Sequence, residues 1–169
     1  MLSPGGEKHM KKLGIILASF TCMFVLSAFD KHGTLENTKH LTTAIVDYKT
    51  MQNDDEYMRE KMAELNFSEI EIDVEYQGGK EFEAEIDQDR NEPILAEVED
   101  DLNNVYLRGK EAFDHIFERV KNLDLTSNSS KQEVIDQVLN AFDLPNDYIK
   151  IEVEIDFDDG KKLNVEDRK

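Results

Sequence analysis

The chain has no tryptophan, three prolines and a single cysteine among 169 residues. Each scarcity removes a class of function. One cysteine, Cys22, cannot form an internal disulfide or a cysteine-rich zinc site. Without tryptophan, a carbohydrate cleft lacks its usual aromatic platform. Basic residues are also scarce: 20 Lys and Arg stand against 38 Asp and Glu, for a net charge of −18. Nucleic-acid phosphates would be repelled by such a chain rather than neutralised, and anionic lipid head groups equally so. Cationic partners, polyvalent metal ions and solubility are what an acidic surface serves. The length suits one domain of ordinary size.

Long apolar runs are absent too, with one exception. Lys11 and Lys12 precede an uncharged stretch from Leu13 to Phe29. A basic start, an apolar centre and small residues at the end (Ser27, Ala28) are the ingredients of an export signal. The stretch is short for a membrane-spanning helix of about 20 residues. Residues 1–28 are therefore expected to be a signal peptide, with Met10 as the natural initiator and residues 1–9 a mis-assigned start. Its removal would leave 17 basic and 37 acidic residues and no cysteine, placing the remainder outside the cytoplasm, secreted or associated with the cell envelope, without disulfides.

Leu26-Ser27-Ala28 resembles the lipobox of bacterial lipoproteins, in which the following residue is the lipidated cysteine. The residue in that place is Phe29. The chain as written thus has no lipid anchor, and membrane attachment could come only from an uncleaved signal. Residues 29–53, rich in Thr, Asn, Lys and His, read as a spacer. Within it Leu41, Ala44, Ile45 and Tyr48 fit a short amphipathic helix, and a second short helix with Tyr57, Met58, Met62 and Leu65 is expected after Asp54.

Residues 54–169 read as a single acidic α+β domain. Ile70, Ile72, Val74 and Tyr76 alternate with polar residues, as do Phe82, Ala84 and Ile86, around Gln77-Gly78-Gly79-Lys80. This spells a β-hairpin with a glycine turn. A third strand is expected from Ile94 to Glu99. Ala112, Phe113, Ile116, Phe117, Val120 and Leu123 form a helical stripe. Ser130 and Glu133 make a capping box for a further helix carrying Val134, Ile135, Val138, Leu139 and Phe142, which Pro145 is expected to stop. A second hairpin closes the chain: Ile151, Val153, Ile155 and Phe157 answer Leu163 and Val165 across Asp158-Asp159-Gly160-Lys161.

The two hairpins match under a shift of 81 residues. Ile70, Ile72, Val74, Tyr76, Gly79, Lys80, Phe82 and Ala84 fall on Ile151, Val153, Ile155, Phe157, Gly160, Lys161, Leu163 and Val165. A helix–hairpin unit used twice is the reading. The strands are polar on alternate residues, so helices can cover only one face. The fold class expected is α+β, an antiparallel sheet of two hairpins and an extra strand with two or three helices packed on one face. Glu71, Asp73, Glu75, Glu152 and Glu154 should then share the other face.

The C-terminal half also resembles a known family. Leu123-Asp124-Leu125, Glu133-Val134-Ile135, Val138-Leu139-Asn140-Ala141-Phe142 and the closing hairpin with Asp159-Gly160 look like the YusW-like family of exported proteins from Gram-positive bacteria. The first hairpin and Gly109-Lys110-Glu111-Ala112 fit more loosely. The resemblance implies a small, lipoprotein-like envelope protein and brings no activity or functional residue with it.

Catalytic patterns are missing: there is no nucleophile elbow, no phosphate-binding glycine loop and no HExxH. Beyond the signal the histidines are His32, His40 and His115, too few and too scattered for zinc. Calcium has one weak candidate. Asp87, Asp89 and Asn91 stand at positions one, three and five of an EF-type loop, but Glu92 replaces the glycine of position six and Val98 the glutamate of position twelve. Asp158-Asp159-Gly160 with Glu166 has the glycine and last acid in register, but Ile155 and Phe157 cannot coordinate. The leading expectation is a non-catalytic binding module without a cofactor, contacting an envelope protein or a cationic wall component. The alternative is an acidic surface protein that binds divalent cations, and a hydrolase of unfamiliar type ranks third.

Overall fold

The computed structural model describes residues 36–169, apart from residue 90 and the side chains of residues 36–42. The export segment, Met10, the lipobox-like residues and His32 lie outside the described residues. Among the described residues, no helix is long and apolar enough to cross a membrane.

The chain is α+β, with one six-stranded sheet and three helices among the described residues. Helix α1 spans Glu36–Met62 and is followed by strands β1 (Phe67–Tyr76), β2 (Lys80–Asp87), β3 (Leu95–Asp100) and β4 (Val105–Arg108). Helices α2 (Lys110–Val120) and α3 (Lys131–Ala141) come next, then strands β5 (Lys150–Phe157) and β6 (Lys162–Arg168). The strand order is β4-β3-β2-β1-β5-β6, and every neighbouring pair is antiparallel.

Period-two patterning does what it should in β1, β2, β5 and β6. Ile70, Ile72, Val74, Phe82, Ala84, Ile86, Ile151, Val153, Ile155, Leu163 and Val165 are all buried, on one side of the sheet. The stripes of α2 (Ala112, Phe113, Ile116, Phe117, Val120) and α3 (Val134, Ile135, Val138, Leu139) complete the same core. α2 packs on β2, β3 and β4, and α3 on β5 and β6. The matched turn positions Gly79 and Gly160 have φ of 70° and 79° with no atom near a notional Cβ. Glycine is required there by conformation, since an L side chain rarely adopts positive φ.

The repeat has a geometric meaning. β1 pairs with β5 so that Ile72 faces Val153, Ile70 faces Ile155 and Val74 faces Ile151. Ile72 and Val153 are also equivalent under the 81-residue shift. A local two-fold axis therefore passes between them, normal to the sheet, relating β1–β2 to β5–β6.

Four expectations need correction. The sheet is larger than two hairpins and one strand, because β4 adds a sixth strand. Its turn, Asp101–Asn104, has no glycine. Instead Asn104 takes φ of 55°, a conformation asparagine tolerates, and the Asp100 carboxylate accepts the Asn103 backbone N–H at 2.9 Å and its Nδ2 at 2.7 Å. The third strand runs Leu95–Asp100, one residue later than Ile94–Glu99, since the Ile94 N–H is taken by Asp55 Oδ1 at 2.8 Å. The two short helices near Leu41 and after Asp54 are one continuous α1, which runs through Asn53 without a break. The α3 helix ends before Pro145 can act. Asp143 enters the left-handed region (φ 55°), Leu144 N–H bonds Leu139 O and Asp143 N–H bonds Asn140 O. That is a Schellman ending, with Leu144 buried as its apolar anchor.

Candidate functional site

Alternation that sends apolar residues inward sends the intervening acids outward. Four acids come from β1 (Glu69, Glu71, Asp73, Glu75) and four from β2 (Glu81, Glu83, Glu85, Asp87). β5 adds Glu152, Glu154 and Asp156, β3 adds Glu97 and Glu99, and β6 adds Glu166. All five acids anticipated for this face are on it. The contributions of β2 and β3 went unanticipated, although Phe82, Ala84 and Ile86 already marked Glu81, Glu83 and Glu85 as outward by the same rule.

Pairing register aligns these acids into rows across the strands. One row reads Glu97, Glu85, Glu71, Glu154, flanked by Arg108 on β4 and Asn164 on β6. The next reads Glu99, Glu83, Asp73, Glu152, Glu166, with Tyr106 on β4 at its end. Neighbouring strands lie about 4.8 Å apart, so like charges sit directly opposite, an arrangement that destabilises a sheet. Between the rows is a shallow depression of about 80 Å³ lined by Glu71, Asp73, Glu83, Glu85, Glu97 and Glu99.

Bases on this face stand at its margins. Arg108 reaches Glu97 at 3.4 Å and Glu99 at 3.7 Å. Lys150 pairs with Glu152 at 2.6 Å, Lys162 with Asp156, and Arg168 with Glu166 at 2.6 Å. Asn164 Nδ2 donates to Glu154. At the centre the relief is weaker. Burial against neighbouring side chains, then the charges of Asp73, Glu85 and Glu154, push the Glu71 carboxyl up to about 7. Burial also raises Glu69, Asp73, Glu83, Glu85 and Asp87, with neighbouring carboxylates adding to it and Lys150 partly opposing it at Asp73.

The calcium candidates are placed differently. Asp87 is the last residue of β2, and Asp89 and Asn91 lie in the loop after it. The Asp89 carboxylate accepts the Asn91 backbone N–H at 3.4 Å, within its own loop. The Asp159 carboxylate is engaged by Lys161, through its N–H at 3.0 Å and its Nζ at 2.6 Å. Among the described residues, no three or more His, Cys, Asp or Glu side chains converge in a metal-holding group. His115 is half-buried on α2, and burial, followed by the nearby Arg119, lowers its pKa.

Among curated proteins and among solved structures, nothing matches the chain. A family model does, that of the YusW-like protein, over residues 68–159. This span reaches further toward the N-terminus than the motifs near Leu123 to Glu166, taking in the first hairpin from Ser68 onward, the acid rows of β1, β2 and β3, and α2 and α3, and it stops at Asp159, short of Gly160 and β6 in the closing hairpin. With more than half of its length matched, the chain belongs to the YusW-like family.

Proposed function

We propose that this protein is exported and acts in the cell envelope as a non-catalytic binding module, taking a cationic partner on the outer face of its sheet. The observation that carries the reading is the pair of carboxylate rows across β3, β2, β1 and β5, to which these four strands contribute acids and no base. Side chains held in mutual repulsion are relieved when a positive ligand docks, so the free-state penalty becomes binding energy. The face is broad and shallow, which suits a lysine-rich segment or an aminated wall polymer better than a small molecule. Export is supported by the apolar run Leu13–Phe29 behind Lys11 and Lys12. Phe29 in place of a lipidated cysteine supports release or an uncleaved signal over a lipid anchor.

Calorimetry with an oligolysine peptide tests the face. Wild type should bind with an affinity that falls steeply with salt, and a Glu71→Gln, Asp73→Asn, Glu83→Gln, Glu85→Gln variant should lose most of it. Equal binding by the variant would move the partner site off the sheet. For export, the N-terminus of protein recovered outside the cytoplasm should begin between Ala28 and Asp30 and carry no lipid, and Phe29→Cys should restore lipidation. Retention of the whole chain in the cytosol would refute the export reading.

A further inference from the structure

The sheet ends in two edges that are guarded to different degrees. β4 is four residues long, whereas β6 runs seven residues along β5 without a register shift, proline or glycine. Shortness, bulges and proline protect an edge strand, and β6 has none of them. Two bonds beside β6 fix the direction of its backbone groups. Phe157 N–H donates to Lys161 O at 2.8 Å, and Lys169 N–H to Ile149 O at 3.0 Å. Bonded and non-bonded pairs alternate along an antiparallel ladder. The odd-numbered residues of β6 therefore bond to β5, while Lys162, Asn164, Glu166 and Arg168 aim their N–H and C=O groups away from it. The side chains of these four are exposed on the outer face.

We propose that β6 pairs antiparallel with β6 of a second copy across a two-fold axis at Asn164, joining two sheets into one. Register chooses the occupant. In an isologous strand pair, residues equidistant from the axis face each other, so each axis sets its own charge pairing. An axis at Val165 puts Lys162 against Arg168 and Leu163 against Asp167. One at Glu166 sets that carboxylate against its own copy and Asn164 against Arg168. Axes at Leu163 or Asp167 leave three strand residues paired. At Asn164, Lys162 meets Glu166 on the outer face, Leu163 meets Val165 on the core face, and the two Asn164 amides meet on the axis. Opposite charges and apolar pairs set directly across a ladder both favour it. Charge on an edge ordinarily deters pairing; here it is symmetric about Asn164, so an identical strand supplies the complement. β6 is also neutral, with Lys162 and Arg168 against Glu166 and Asp167, in a chain of net charge −18. Two copies repel less there than along the acid rows. Leu163 and Val165 are already buried, so pairing adds little apolar area and the dimer should be weak, with a Kd on the order of 100 µM.

The test uses the full chain with Cys22→Ser as background. Asn164→Cys should form a disulfide with itself under mild oxidation, because Cα atoms of a bonded pair lie about 5.5 Å apart, within disulfide reach. Lys162→Cys should not, but should cross-link when mixed with Glu166→Cys. In sedimentation velocity, Lys162→Glu and Glu166→Lys should each weaken the dimer roughly tenfold, and the double variant should regain wild-type association. That recovery separates pairing from any loss of folding. Hydrogen exchange should slow with rising concentration at the N–H groups of Lys162, Asn164 and Glu166 and stay constant at Tyr106 and Arg108, whose N–H groups lie on the β4 edge. A chain still monomeric at about 1 mM would overturn the proposal. So would a dimer indifferent to both charge reversals, cross-linking of Asn164→Cys with Glu166→Cys in preference to itself, or exchange that slows at the β4 edge instead.

Discussion

The two hairpins related by the 81-residue shift agree at most inward positions and differ at half of the outward ones. Inward positions match in kind: Ile72 with Val153, Val74 with Ile155, Phe82 with Leu163, Ala84 with Val165. Only half of the outward positions do: Glu71, Asp73, Glu75 and Glu85 fall on the acids Glu152, Glu154, Asp156 and Glu166, and the other half differ. Glu69, Glu81, Glu83 and Asp87 of the first hairpin correspond to Lys150, Lys162, Asn164 and Arg168 of the second. In β5–β6, Asp156 therefore faces Lys162, Glu154 faces Asn164 and Lys150 faces Arg168, and Glu152 against Glu166 is an acid pair flanked by those two bases. In β1–β2, acids face acids along most of the ladder. Core packing tolerates only apolar residues of suitable volume, so it holds both copies alike, while the outer face is free to differ and in the first hairpin carries a charge pattern that opposes folding.

The largest effects should come from the inward positions. Phe82 is fully buried and meets Phe142 edge-on at 5.3 Å. Phe82→Ala should cost about 3–5 kcal/mol in urea unfolding, against about 2–4 kcal/mol for the less enclosed equivalent change Leu163→Ala. A reversed order would show that the second hairpin, rather than the first, anchors the core.

Proton binding should separate the outer faces next. Glu71, with its carboxyl raised to about 7, is protonated more readily in the folded chain than in the unfolded one. Its penalty is fully present above pH 7 and disappears as pH falls through that value toward the ordinary range of glutamate. The domain should thus gain roughly 1–2 kcal/mol between pH 8 and pH 5, after allowance for solvent screening. Glu71→Gln should remove most of that rise. Glu166 in the second hairpin is shifted the other way, held down by the Arg168 guanidinium. Its contribution is present above the ordinary glutamate range and is lost in stronger acid, and Glu166→Gln should leave the rise between pH 8 and pH 5 in place. Melting curves across pH decide between these signs, and a flat profile would mean that the acid rows do not interact.

Transplanting the second pattern onto the first is a smaller and sharper test. Glu81→Lys with Glu83→Asn should raise stability by several tenths of a kcal/mol per site at low salt, and should weaken oligolysine binding in the same protein. Stability gained without binding lost would separate the charge rows from the binding role. Smallest of all is the response of wild type to ions: added sodium chloride should raise the melting temperature by a degree or two through screening. Calcium at matched ionic strength should do more only if the face or the Asp87–Asn91 loop holds the ion specifically.

Much of this was legible in the chain itself. Period-two alternation located four of the strands, the turn glycines placed both hairpins, and Ser130 with Glu133 opened α3, where the capping bonds form at 3.3 and 2.8 Å. These are local signals, because each depends on residues within a few positions of one another. What stayed hidden depends on neighbours that are far away in the chain. β4 is four residues long and turns on Asn104 instead of glycine, so it becomes a strand only because β3 offers it an edge. α1 is continuous across Asn53 because helical backbone bonding does not require the apolar face to be covered. The individual acids, their outward direction and the repeat were all determined by the amino-acid sequence, since alternation in a strand sends every second side chain to the same face. That Glu97, Glu85, Glu71 and Glu154 form one row was decided by the tertiary structure alone, because strand order and register follow from how the buried face packs, and only they say which acids must face one another.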